Sequence, residues 1–361
     1  MTSKAISDAE KARIRDEKER EYAETKKKQE AFREMQKWPY IMKLQHAEMR
    51  ASQFYRTITG EYLSNVHVSV GGLDSITLYL FLKKYVYADI KGVSVSALED
   101  KSIQRVHKEL GIISVKPEKS KVEVIREYGY PVISKDIAGK MDMLQNPTER
   151  NATVRHAILT GETGELGGYR YSERMRMPQK WRELFIEQEA PFKVSAKCCY
   201  YLKEKPCDIW AKQHISYPYL GLMASEGGRR SRLLPINGCN MITKSTKRSC
   251  PFAIFTRQDL LQLALDLQVP VPEIYGEIRR DLDGNLYTTK AQRTGCSMCG
   301  FGIHMDKRPH HFDLLREENP KEWRFWMYDQ GWGRVLTYIG VGWEEPYYRQ
   351  VEIREVMEAA P

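Results

Sequence analysis

The sequence predicts an α/β protein built on a mainly parallel sheet, with a charged helix before it and a mostly helical C-terminal region after it. Three observations carry this. Short apolar strands and amphipathic helices alternate between residues 65 and 135, the pattern of βαβ units whose right-handed crossovers cover both faces of a sheet. The chain has 361 residues, 42% of them hydrophobic, enough for one large core or two modest ones. No run of about 18 apolar residues interrupts the pattern.

Residues 1–37 are dense in Glu, Lys and Arg, with isolated apolar residues at Ile6, Ile14, Tyr22 and Phe32. That spacing gives no heptad seam, so a solvated helix or frayed tail is expected rather than a coiled coil. Residues 38–60 have apolar residues at helical spacing and end in a glycine. Then come the strand "NVHVSV", a helix over 74–86, the strand "IKGVSVS", a helix over 99–110, the strand "IISVKP", a helix over 119–128 and the strand "YPVIS". Residues 136–195 are basic and poorly patterned, and within them 161–185 reads as a mobile loop followed by a helix. The stretch 256–268 is an amphipathic helix opened by a Thr cap, a "DG" turn signal follows it, and helical spacing returns from 311. The expected division is a charged segment 1–60, a core domain 61–265 and a C-terminal region 266–361.

A net charge of +9 and a sequence pI near 9.0 favour an anionic partner. The first thirty residues carry charge where a signal peptide needs an apolar core, so the expectation is a cytoplasmic protein with no membrane partner. Seven cysteines are an odd number, and in a reducing compartment ligand or catalytic roles come before disulfides.

The stretch "VGGLDS" runs from a strand into a helix. Gly71 and Gly72 let the backbone approach a phosphate, the helix start offers free N–H groups, and Ser75 brings a hydroxyl. Asp74 would repel phosphate unless it holds a metal ion or fixes the loop. The alternative is an ordinary tight turn with Asp74 as a helix cap. Cys198 and Cys199 are adjacent, and Cys296 and Cys299 form C-x-x-C. Four cysteines from two loops complete either a tetrahedral zinc site or a 4Fe-4S cluster. Cys239 is a fifth candidate, as ligand or as a free sulfur-handling thiol; Cys207 and Cys250 have no motif support. Arg229, Arg230 and Arg232 follow two glycines and make a candidate anion clamp. Lys135, Lys197 and His304 are further candidate contacts.

The glycine turn resembles the S-G-G-x-D-S loop of the ATP-pyrophosphatase and phosphoadenosine phosphosulfate (PAPS) reductase superfamily. "YGYPVISK" (128–135), "MASEGGRR" (223–230), "GCN" (238–240), "PFAIFTRQDLL" (251–261) and "TGCSMCGFGIH" (294–304) are similar to segments of PAPS-reductase-like proteins, often found in phages and mobile elements. The resemblance covers roughly residues 38–345. It implies a doubly wound, adenine nucleotide alpha hydrolase-like sheet binding ATP or a related adenine nucleotide at its carboxyl edge, with Mg2+ as an optional companion. Ser69, Gly71, Gly72, Asp74, Ser75, Glu99, Arg229 and Arg230 would contact the nucleotide. Cys198, Cys199, Cys296 and Cys299 are similar to the signature that binds a 4Fe-4S cluster beside the nucleotide in sulfonucleotide reductases, zinc being the alternative. One position departs: the motif's leading serine is Val70 here, with Ser69 one residue early.

A PAPS or adenylylsulfate reductase also needs a nucleophilic cysteine in its C-terminal tail, and no cysteine follows Cys299. The expectation is therefore adenylation-coupled sulfur transfer, with Asp74 and Cys239 as catalytic candidates. A nucleic acid or small acceptor and a cysteine desulfurase as sulfur donor are the implied partners, and a homo-oligomer stays open. A non-catalytic nucleotide- or nucleic-acid-binding module with a structural metal site is the alternative.

Overall fold

The computed structural model describes residues 8–165 and 168–345. Readings made on residues 1–7, 166–167 and 346–361, Ile6 among them, lie outside the described residues. The fold is mixed α/β around a six-stranded, mainly parallel sheet. The chain divides into two compact units. One takes the chain up to Glu118 together with Lys203–Thr294; the other takes Lys119–Leu202 and the chain from Gly295 onward.

In the first unit the strand Asn65–Ser69 lies at the centre. Lys91–Ser94 pairs with it in parallel on one side and Ile113–Ser114 follows outward. Ser216–Leu220 pairs in parallel on the other side, then Lys247–Ser249, and Asn240–Ile242 closes the sheet antiparallel. Three consecutive residues of the central strand, Val66 to Val68, are buried, as a parallel strand covered on both faces requires. Val66 and Val68 face the main core with the helices Leu73–Tyr85 and Arg257–Asp266. His67 alternates to the opposite face, where it packs edge-on against Trp210 of the helix Lys205–Gln213 at 5.2 Å.

His67 has a measurable consequence. Its Nδ1 lies 2.8 Å from the Ser216 hydroxyl, and burial lowers its pKa to about 4. The unfolded value is about 6.5, so the stability His67 contributes is complete above that pH and is lost as pH falls towards 4. The free energy of urea unfolding should drop by roughly 3 kcal/mol over that interval on account of this residue. A His67→Gln variant should show a shallower acid decline; a curve parallel to the wild type would contradict the assignment.

The N-terminal helix Asp8–Gln36 is largely solvated where its side chains are described, but Phe32 is buried. The next helix, Tyr40–Arg56, buries Lys43, Ala47, Ala51 and Phe54, one stripe at helical spacing. Helix Arg257–Asp266 opens with the Thr256 capping box, in which Asp259 answers the threonine.

Two expectations are corrected. "YPVIS" is not a strand of the main sheet: only Val132–Ile133 is extended, and it pairs in parallel with Gly300–Phe301 in the second unit. Ile133 has φ +66, a left-handed backbone that ends the run. The poorly patterned stretch after 135 holds the helices Lys135–Gln145 and Ala152–Thr160, and where 161–185 is expected to open as a mobile loop, a hairpin of Glu162–Glu165 with Gly168–Tyr171 precedes the helix Gln179–Arg182. Ser134 caps the first of these helices, a signal overridden in the sequence by the density of charge around it. From 311 the chain is helical as expected, in His311–Glu318, Pro320–Arg324 and Trp332–Tyr338. Among the described residues no helix is long and apolar enough to cross a membrane.

Candidate nucleotide site and cysteine centre

Strand order reverses at Asn65–Ser69, because the chain first steps to one side of it and later returns to the other. The crevice outside the carboxyl ends of the strands flanking such a reversal is where open α/β sheets bind ligands. Both strands there run into glycine. Gly71 and Gly72 follow the first, and Gly221 follows the second. A Cβ on Gly221 would stand 3.1 Å from the backbone of Asp74 and Ser75, so glycine is what lets the two turns approach.

The Gly71–Ser75 turn is held by its own hydroxyl. Gly71 N–H donates to Ser75 Oγ at 2.7 Å, and Ser75 Oγ donates to the Gly72 carbonyl at 2.9 Å. Leu73 N–H donates to Tyr275 Oη at 3.2 Å, and that hydroxyl also meets Thr294 Oγ1 at 2.9 Å. Two backbone donors at the start of helix Leu73–Tyr85 therefore already face oxygen atoms, as they would face a phosphate. A Cβ on Gly72 would collide with the Tyr275 hydroxyl. From below, His107 Nε2 lies 2.8 Å from the Gly71 carbonyl and its Nδ1 lies 3.0 Å from Ser96 Oγ. Since a carbonyl only accepts, Nε2 carries the proton, and burial lowers the pKa of this ring.

Asp74 does not cap the helix, for Gly72 is the cap residue and no side chain bonds there. Its carboxylate instead accepts from Arg257 Nη1 at 2.6 Å, while Arg257 Nη2 reaches the Gln292 carbonyl at 3.2 Å. Burial pushes the Asp74 carboxyl above its ordinary value; Arg257 opposes that, Glu226 adds to it and Arg230 opposes it. Arg230 is paired with Glu226, whose carboxylate is nearly buried. The result is a patch of two arginines and two carboxylates beside the glycine turn. Glu99 borders the same turn, 3.6 Å from where a Gly71 Cβ would stand, and is ion-paired with Lys203 at 2.6 Å.

The other nucleotide-site candidates are less engaged. Arg229 is exposed near the start of helix Gly228–Asn237. Ser69 is half-buried and alternates to the face opposite Val70. Val70 is buried in the core, where a Cβ on Gly92 would lie 3.1 Å from its methyl, so an apolar side chain occupies the place of the motif's serine.

The second unit brings the four motif cysteines together. Cys198 and Cys199 end the short helix Lys197–Cys199, and Cys296 and Cys299 face each other across a turn closed by Cys299 N–H to the Cys296 carbonyl at 2.9 Å. Cys198 is driven far above the ordinary thiol range by its hydrogen bond with Cys199, by burial, and by Cys299 and Cys296 nearby. Burial pushes Cys299 up to about 11, with Cys296 and Cys199 adding to it and Lys135 opposing it. The four sulfurs thus sense one another. Among the described residues, however, no three His, Cys, Asp or Glu side chains are gathered closely enough to hold a metal ion. A mononuclear zinc site needs sulfurs about 3.8 Å apart, given Zn–S bonds of about 2.3 Å; a cubane holds its thiolates farther apart. An all-sulfur donor set from two loops fits the cluster in chemistry.

Cys239 belongs to the first unit and lies in its core, its thiol pushed up to about 11 by burial despite Arg50. Its neighbour Cys250 reaches about 12 and Cys207 about 11, both through burial. Lys197 is ion-paired with Asp142 at 2.9 Å, and His304 packs edge-on against Trp181 at 5.2 Å.

Arg257, Tyr275, Thr294, His107 and Lys203 are the site residues that sequence reasoning missed. Only Arg257 left a signal: a basic residue in the first turn of a capped helix runs against the helix dipole and invites another explanation. His107 was hidden on the apolar face of its helix with Ile103 and Val106. The sequence matches no protein-family model, and no curated protein is similar to it.

Proposed function

We propose that the protein is a PAPS-reductase-like, adenine-nucleotide-binding iron–sulfur protein that couples adenylation of an acceptor to sulfur transfer. The observation that carries this reading is the glycine turn at the sheet's reversal point, with its two occupied N–H groups and the Asp74–Arg257 pair beside it. ATP phosphates would take the two N–H groups and the Arg257 guanidinium, and Asp74 would hold a Mg2+ that comes with ATP, which would neutralise phosphate charge. An acceptor hydroxyl then attacks the α-phosphorus, forming the acceptor–AMP ester and releasing pyrophosphate. A sulfur nucleophile displaces AMP in turn, the carbon–sulfur bond forming as the carbon–oxygen bond breaks.

Cys198, Cys199, Cys296 and Cys299 would hold the cluster. When bound, a 4Fe-4S cluster with four thiolates supplies one-electron chemistry and structural order, so the sulfur comes from a thiol or a desulfurase partner. The buried Cys239 is a poor nucleophile by its raised pKa and has no part in this scheme. A second reading rests on Val70: without a serine there, the turn binds nucleotide and does not cleave it.

Two measurements test the proposal. Anaerobically purified protein should contain about four irons and four sulfides per chain, and Cys296→Ser should lose most of both. One zinc and no sulfide would overturn the cluster. With radiolabelled ATP and a nucleic-acid acceptor, AMP and pyrophosphate should accumulate. Binding without turnover selects the second reading, and no binding refutes both.

A further inference from the structure

We propose that the second unit carries a binding site of its own, for a phosphorylated nucleoside, in a cavity of about 830 Å³ beside the Gly129 turn. Arg126, Lys193 and Arg334 line it, and all three are exposed. None of them forms an ion pair or side-chain hydrogen bond with another described residue. Asp329 and Glu344 share the lining, so the cations outnumber the carboxylates around the hollow by one, and two of the three carry the planar fork that matches phosphate.

The walls ask for more than phosphate. Tyr328 is 59% exposed and stands edge-on to the buried Trp343 at 5.5 Å, so one aromatic face is open to a planar ring. Asp329 and Glu344 also line the cavity and, being acceptors only, suit sugar hydroxyls and base amino groups. The volume lies within the usual range for small-molecule sites, about 300–1,000 Å³. An inorganic anion would leave the aromatic wall unused, and an apolar ligand would strip water from three cations.

The floor is preformed. Tyr130 Oη donates to the Gln330 carbonyl at 2.7 Å, and Tyr130 N–H donates to the Lys193 carbonyl at 2.8 Å. Gly129 has φ +105, and a Cβ there would drive into the Lys193 backbone. These contacts fix Lys193 and the opposite wall before any ligand arrives.

The phosphate could belong to a free mononucleotide or to one nucleotide of a strand, and the experiment separates them. The full chain is titrated with the four 5′-mononucleotides, with inorganic phosphate as reference, and with a fluorescein-labelled ten-nucleotide single strand. Lys193→Ala/Arg334→Ala should weaken binding at least tenfold, and Tyr328→Ala should weaken it while Tyr328→Phe does not. The variants are compared in an Asp74→Ala background, so that binding at the other unit's glycine turn does not mask the result. If the strand is the ligand, the double variant's log–log salt dependence should be shallower by about 1.4, for two lost phosphate contacts; a mononucleotide ligand binds without the strand's advantage. Equal affinity with and without the double substitution, or phosphate binding as tight as the nucleotides, would overturn the site.

Discussion

Lys43→Ala should cost about 3–5 kcal/mol of stability, the range for breaking a buried ion pair by removing one partner. Lys43 Nζ lies 2.8 Å from Asp259 Oδ2, and the two side chains are only 5% and 9% exposed. Without the lysine, a buried carboxylate loses its counter-ion while still holding the Thr256 N–H and hydroxyl, each at 2.7 Å. Those bonds cap helix Arg257–Asp266, so the damage falls on the helix that carries Arg257. The double variant Lys43→Met/Asp259→Asn removes both charges and keeps a capping oxygen, and should recover most of the loss. Urea unfolding of Lys43→Met, Asp259→Asn and the double variant measures the coupling. A Lys43→Ala variant within about 1 kcal/mol of wild type would refute a stabilising role for the pair.

Arg257→Ala should lower ATP affinity by about 30- to 150-fold, the equivalent of about 2–3 kcal/mol for a charge-assisted bond to phosphate. The residue spans two points at once, Asp74 and the Gln292 carbonyl, through its two terminal nitrogens. Lysine supplies the charge without the fork, so Arg257→Lys should recover only part of the affinity. Loss of the arginine also removes the main opposition to burial at Asp74, whose pKa should rise further. Calorimetric titration with ATP checks the first expectation. Unchanged affinity in both variants would detach Arg257 from the nucleotide site.

The sheet was legible because its strands are short runs in which valines alternate with other residues, as in "NVHVSV" and "IKGVSVS", set between helical patterns. The glycine turn was legible as a turn, since Gly71 and Gly72 do lie between a strand and a helix. The four cysteines could be grouped by spacing, and they do share a unit. What failed was anything set by distant partners. Asp74 finds Arg257 across 183 positions, and Tyr275 finds Leu73 across 202; no local pattern encodes such pairings. Val132–Ile133 looked like another core strand because two apolar residues satisfy any extended template, and only the left-handed Ile133 reveals that the run stops there. The sequence reading cut the chain at 60 and 265. The compact units change at 118, 202 and 294.

The pairing of Asn65–Ser69 with Ser216–Leu220 also has a bearing on biosynthesis. His67 sits opposite Pro218 in that ladder, and at about 5–20 residues per second the ribosome needs roughly 8–30 s to make the intervening chain. Throughout that interval the central strand has one side with no native partner, and its apolar residues and backbone groups are open to other chains. Nascent chains stalled between the two strands should therefore be held by chaperones or aggregate, and those released after residue 294 should not.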